Sequence, residues 1–285
     1  MIYHGAGAVN PQGENDKGLG FSIRCVFGDS RTLQDITYMQ DINTNICQNT
    51  AETTSYADAK TLIDNRGKGN AGSATGTYKV IKAKDGNCWM ADNLDLYNTT
   101  TALTASNTDI PSGTYTIPAG ITATTDWYTN NYQTKKVEVA HGLGRYATQD
   151  QSYWGEVFYN WTVAVAKETT AGVTTSQDTS ICPKGFTLPV NGDNTRDKSW
   201  AKLLDAYGVT TGAQLLTKPL GFTKYYGNWS WGWVSEYDQG SLGRFWSGTP
   251  SSETTVYHLI YDSGGVYPQG NHEKGNGFSI RCVAR

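Results

Sequence analysis

The heptapeptide G-F-S-I-R-C-V stands at residues 20–26 and again at residues 277–283. Nothing else in the chain restricts its fold as much, because a terminal strand of this kind cannot bury its apolar face alone. Aligned at an offset of 257, residues 9–26 match residues 266–283 at 13 of 18 positions. Ile2-Tyr3 also matches Ile260-Tyr261, with one residue gapped between. The front of the chain therefore reads as the final segment of a second domain copy whose body is absent. Such a segment folds onto this domain's sheet, dangles, or inserts into a neighbouring subunit as a donated strand. In the last case Cys25 mimics Cys282. The expected division is a duplicating segment at 1–29 and a main domain at 30–285.

The 285 residues can bury a sizeable core. Net charge is −3 and only 17% of residues are charged, which gives no nucleic-acid footprint and no polybasic anchor. With 32 Gly, 18 Tyr and 9 Trp, the chain reads as loop-rich and β-leaning. No apolar run reaches the roughly 18 residues of a membrane-spanning helix. Residues 1–5 lack the basic start and apolar core of a signal peptide. The expectation is a leader lost upstream, or a natural start other than Met1. The five cysteines, Cys25, Cys47, Cys88, Cys182 and Cys282, form no C-x-x-C. Disulfides in an oxidising compartment are their expected use, with one thiol left over.

Leu33, Ile36, Met39, Ile42 and Ile46 recur every three to four residues and predict a helix over 30–47, capped by Ser30. Residues 48–77 are polar and predict loop around Leu62-Ile63. Residues 78–84 predict a strand, and Asp85-Gly86 predicts a hairpin turn into 87–94. Residues 98–131 are Thr-rich and predict a surface insertion. A helix over 152–167 would carry Trp154, Phe158, Trp161 and Val165 on one face. A second, over 197–207, would bury Trp200, Leu203, Leu204 and Tyr207 and stop at Gly208. From Phe222 onward the pattern predicts short aromatic strands.

Asp85-Gly86-Asn87-Cys88-Trp89-Met90-Ala91-Asp92-Asn93-Leu94 resembles the C-W-M-x-x-N-L motif of the FISUMP, or major paralogous domain, family. Tyr159-Asn160-Trp161 is similar to its Y-N-W helix. Cys182-Pro183-Lys184-Gly185-Phe186-Thr187-Leu188-Pro189 resembles C-P-x-G-W-x-L-P, with Phe186 in place of Trp. Trp200 and Leu203 fit the following W-x-x-L. Phe245-Trp246-Ser247 and residues 277–283 resemble its F-W-S/T and closing G-x-S-V/I-R-C-V motifs. The resemblance implies an α+β, C-type-lectin-like fold, related to the formylglycine-generating enzyme group. Such a fold has two main helices, short twisted antiparallel sheets and long loops. It also implies a Cys182–Cys282 bridge and a Cys47–Cys88 bridge, with Cys25 unpaired or intermolecular. Sequence alone leaves the connectivity open.

The five mismatched pairs between the two copies are Asn10/Tyr267, Glu14/Asn271, Asn15/His272, Asp16/Glu273 and Leu19/Asn276. In three of them Asn faces Tyr, His or Leu, exchanges that an AAC codon makes through its adenines alone. That pattern is similar to the action of diversity-generating retroelements, whose variable proteins also use C-type-lectin-like folds. The two pairs with acidic residues do not follow it, and drift between paralogous copies explains the three nearly as well.

The most aromatic stretch runs from Tyr225 to Trp233. Alternation places Trp229, Trp231 and Trp233 on one inward face. Tyr225, Tyr226, Asn228 and Ser230 then face outward. Exposed Tyr and Asn on a rigid scaffold suit binding. The predicted contact surface spans 224–276, with Tyr225, Tyr226, Asn228, Ser230, Tyr237, Tyr257, Tyr267, His272 and Asn276. The expected function is a secreted or cell-surface ligand-binding or adhesion module, non-enzymatic, without cofactor or metal, that meets a protein or glycan. The alternative is a structural repeat or filament subunit assembled by strand exchange through residues 1–26. Catalysis finds little support, since His4, His141, His258 and His272 belong to no Ser-His-Asp order and no G-x-S-x-G elbow is present. An oxidase would need Cys182 and Cys282 as a reactive pair, whereas motif-embedded cysteines are more often a structural bridge. Glu236, Asp238 and Glu253 could bind a cation but read as solvated loop.

Overall fold

The computed structural model describes residues 29–64, 76–94, 102–104, 114–116, 144–145, 157–159, 161–165, 180–191, 197–222, 228–229, 236–237, 240–252, 254–274 and 276–284. Cys25 and the rest of 1–28 lie outside them. So do Tyr225, Tyr226, Ser230, Trp231, Trp233, Asp238 and Glu253.

The helix expected over 30–47 is replaced by three short pieces. Single 3-10 turns at Leu33–Asp35 and Met39–Asp41 precede α1 (Thr44–Asn49), and Ile36, Tyr38 and Ile42 between them are extended. The apolar spacing explains the difference. Positions 33, 36, 39 and 42 step strictly by three, the repeat of a 3-10 turn, and drift off the face of a 3.6-residue helix. Thr32, not Ser30, caps the first turn in a reciprocal box with Asp35. All five predicted apolar residues are nevertheless buried.

The strands that follow are β1 (Lys60–Asp64), β2 (Gly76–Lys82) and β3 (Cys88–Met90). β1 was expected as loop; its Leu62 pairs with Tyr78 and is buried. The Asp85-Gly86 turn is formed as predicted, with Gly86 at φ +90°. The Asp85 carboxylate accepts from the Asn87 amide at 3.0 Å and from the Trp89 indole at 2.9 Å, so one acid fixes both the turn and a buried ring. In the Thr-rich stretch, β4 (Ala102–Thr104) pairs antiparallel with β5 (Thr114–Thr116). Next come β6 (Gly144–Arg145) and β7 (Val157–Phe158), which pair with each other.

The helix expected over 152–167 shrinks to α2 (Trp161–Ala164). Tyr159 exchanges two main-chain hydrogen bonds with Phe278, at 2.9 and 3.0 Å, and so gives its backbone to a tertiary bridge instead. β8 (Phe186–Thr187) is followed by α3 (Trp200–Ala206), which matches its prediction. Ser199 caps α3, Trp200, Leu203 and Leu204 are buried, and Gly208 ends it at φ +60°. After α4 (Gly212–Leu215) come β9 (Asn228–Trp229) and β10 (Glu236–Tyr237), then β11 (Leu242–Pro250), β12 (Thr255–Asp262), β13 (Val266–Glu273) and β14 (Val283–Ala284). Strands β11 to β13 are eight or nine residues long, not short.

The larger sheet runs β1-β2-β3-β14-β8, all antiparallel, and separates two cores. Tyr78, Val80 and Met90 face the N-terminal turns, Trp161, Trp246 and Phe278. Ile81, Trp89 and Val283 face α3, Phe222, Phe245 and Tyr261. The indole groups tie the segments together. Trp161 donates to the Ser247 carbonyl at 2.9 Å, Trp246 to that of Tyr159 at 2.6 Å, and Trp200 to that of Trp246 at 3.4 Å. Two disulfides, Cys47–Cys88 and Cys182–Cys282, are formed. The architecture is α+β. Among the described residues no helix is long and apolar enough to cross a membrane, which says nothing of a β-barrel.

Candidate functional site

Three of the nine predicted contact residues, Tyr257, Tyr267 and His272, lie on the sheet β11-β12-β13. Trp246, His258, Gly270 and His272 share one face by register; Phe245, Leu259, Tyr257 and Asn271 share the other. Among the described residues, each face has an aromatic ring packed on one end. Phe278 packs on Trp246 at 4.0 Å on the first face, while Phe222 packs edge-on to Phe245 and Tyr261 on the second. A register shift between His258 and Ile260 lies between the two covered ends.

This arrangement splits the nine predicted residues. Tyr257 stands opposite Asn271 on the second face and is half-buried. Tyr267 stands opposite Ile260 on the first face and is 54% exposed. The two tyrosines therefore do not share one surface. His272 is half-buried beside Phe278. Asn276, expected at the contact surface, is only 1% exposed. Its amide donates to the Glu273 carbonyl at 3.2 Å and lies 2.8 Å from Nδ1 of His272, so it locks the turn after β13. Asn228 and Tyr237 are register partners in the β9–β10 pair. Tyr225, Tyr226 and Ser230 fall outside the described residues.

What the structure does gather is an edge. Among the described residues β13 pairs only with β12, so its outer main-chain groups face away from the sheet. Tyr267, Gln269 and Asn271 are exposed along it. Four of the five positions at which the two sequence copies differ, Tyr267, Asn271, His272 and Glu273, lie on this strand. No family model, curated protein or solved structure matches the chain. The candidate site therefore stands on its own geometry.

Behind the strand sits His258, buried against Phe278 and, farther off, Trp246. Neither ring nitrogen makes a hydrogen bond of ordinary geometry. Burial, then the Arg244 and His272 charges, push its pKa down to about 3, against a weak opposing pull from the Val256 backbone. His272 is also lowered, mainly by burial, with the Glu273 carboxylate beside it acting the other way. Both rings are neutral near pH 7, and no group of three metal-ligating side chains occurs among the described residues. The groove bordered by Thr32, Asn49, Asp58 and Lys60, about 360 Å³, contains none of the nine predicted residues.

Asn271 and Gln269 were missed as contact candidates. Glu14/Asn271 was already visible as a mismatch between the copies; Gln269 is identical in both and carried no signal.

Proposed function

We propose that the chain is a secreted or surface-displayed ligand-binding module of C-type-lectin-like, FISUMP-related type. Its protein or glycan ligand is met along β13. The observation that carries this reading is the partition of the duplicate. The differing positions cluster on an exposed edge strand, and the identical residues 277–283 are buried. A fixed scaffold beneath a changeable edge suits a surface that is tuned for different partners, by adenine-directed diversification or by paralogous drift. Two further observations support it. The residues that carry the family resemblance meet in the two cores, as scaffold residues do. Two disulfides suit an oxidising destination.

Edge-strand recognition supplies affinity from main-chain hydrogen bonds and selectivity from alternate side chains. Tyr267 provides a stacking ring on one side of the edge and Asn271 an amide on the other. Screening the purified chain against arrayed glycans and surface proteins tests the reading. Saturable binding that falls about tenfold or more in Tyr267→Ala/Asn271→Ala, with unchanged unfolding, is the expected result; a tenfold loss is about 1.4 kcal/mol. Binding indifferent to both substitutions would overturn it.

A further inference from the structure

The two disulfides stand in different surroundings. Cys88, Cys182 and Cys282 are wholly buried, whereas Cys47 keeps 5% of its surface. Cys47 also borders a cleft of about 220 Å³, together with Thr44, Gln48, Asp85, Asn87 and Lys198. The walls of that cleft are polar, so it admits a small hydrophilic molecule more readily than an apolar one. The Cys182–Cys282 bridge instead ends in the closing segment 277–283, every residue of which is buried.

Lys82 distinguishes the first bridge further. Its Nζ lies 3.9 Å from Sγ of Cys47 and donates to the Gly86 carbonyl. On the sheet Lys82 is also the register partner of Cys88. Residues directly opposed in an antiparallel pair project to the same face, with Cβ atoms roughly 5 Å apart. One amine therefore stands beside both sulfurs. Burial lowers its pKa, and the Asp85 carboxylate opposes that shift. Thiol–disulfide exchange needs access to one sulfur, and it is faster when the other leaves as a stabilised thiolate. A neighbouring lysine stabilises a thiolate. Cys47 offers the access, and Lys82 assists the departure of Cys88.

The rest of the packing holds this region without the bridge. Ile42 and Ile46 beside Cys47 are buried. The Thr53 amide donates to the Lys82 carbonyl at 2.8 Å, and the Thr53 hydroxyl accepts from the Lys82 amide at 3.0 Å. These contacts keep the α1 segment on β2 when the sulfurs part.

We propose that the Cys47–Cys88 disulfide is a thiol-exchange site, which takes a small hydrophilic thiol onto Cys47 while Cys182–Cys282 stays closed. The incoming thiolate attacks Sγ of Cys47. The Cys47–Cys88 bond breaks and its electron pair leaves on Cys88, which departs as a thiolate and takes up a proton. The incoming thiol is oxidised into a mixed disulfide with Cys47, and Cys88 is reduced. The Cys88 thiolate reverses the step by attacking Cys47 and expelling the thiol.

Full-length protein carrying Cys25→Ser, which removes the odd thiol, tests this. It is incubated with reduced glutathione at neutral pH, quenched with iodoacetamide at successive times and read by peptide mass spectrometry. Glutathione on Cys47 and alkylation of Cys88 should appear at least about tenfold faster than alkylation of Cys182 or Cys282. Lys82→Gln should slow the release of Cys88 by about threefold or more, and Lys82→Arg should retain it. Urea unfolding of the same variants separates slower exchange from a changed fold. No reaction at Cys47, a rate difference between the bridges below tenfold, an adduct on Cys88 instead of Cys47, or release indifferent to Lys82→Gln would overturn the proposal.

Discussion

Strand β13 and the segment that follows it differ in one respect that orders everything else. Along β13 side chains alternate between half-buried and exposed, whereas every residue of 277–283 is buried. The duplicate near the front of the chain records the same division. All seven positions of the buried segment are identical, and four of the five differences fall on β13. The fifth, Leu19 against Asn276, is buried, and Leu there would leave the turn after β13 without its amide contacts. Burial on all sides fixes shape and hydrogen bonding at once, whereas an edge strand needs only its backbone ladder. The contrast can be broken from either side.

The largest effect is expected at Phe278. Its ring lies 4.0 Å from that of Trp246 and 4.8 Å from that of His258, fully buried. Phe278→Ala should cost about 3–5 kcal/mol in urea unfolding, and a loss below about 1 kcal/mol would mean that the segment is not a core element. Arg281→Leu should come next, at about 2–4 kcal/mol. Its guanidinium is bonded to Asn93 at 2.7 Å and to Gly221 at 2.8 Å, and stacks 3.9 Å from the Phe222 ring, so the change strands buried carbonyls. Arg281→Lys should recover little of the loss, because one ammonium cannot reach these divergent oxygens.

An acid effect of intermediate size follows from His258. Its folded pKa of about 3 lies below the ordinary 6.5. The unfolded chain therefore binds the proton first as pH falls. The stability held by the neutral ring is complete above 6.5 and is lost progressively toward 3, at up to about 1.4 kcal/mol per pH unit. Urea midpoints at pH 7, 5 and 4 should show this slope, and His258→Phe should flatten it. An unchanged slope would assign the acid sensitivity to other groups.

How much of this was legible depends on whether local chemistry or distant pairing decided it. The Asp85-Gly86 turn and the Ser199-capped helix are local and were readable. The segment 30–47 breaks into turns because its apolar residues step by three from 33 to 42, the repeat of a 3-10 turn, and by four only at the end, where α1 forms. The helix over 152–167 lost to a bridge between Tyr159 and Phe278, which no local pattern announces. The contact residues suffered the same way. Alternation identifies a strand, but only register reveals that Tyr257 and Tyr267 lie on opposite faces and that Asn276 turns inward. The pairing of Cys47 with Cys88 and of Cys182 with Cys282, implied only by the family resemblance, is the pairing formed.

The smallest effect is expected on β13, and it is the most discriminating. Tyr267 is 54% exposed and Asn271 is exposed on an edge strand. Exchanging Tyr267 for Asn and Asn271 for Glu gives the residues of the front copy at both places. Each substitution removes no buried contact, so the pair should alter unfolding by no more than about 0.5 kcal/mol per site. Urea unfolding of this double variant beside Phe278→Ala measures the comparison directly. If the edge proved as costly as the core, the differences between the copies could not mark a tolerant surface, and the binding face would have to be sought elsewhere. If the cost stays small, β13 can change its chemistry without changing the fold, which is the physical condition for a recognition surface that varies while its scaffold does not.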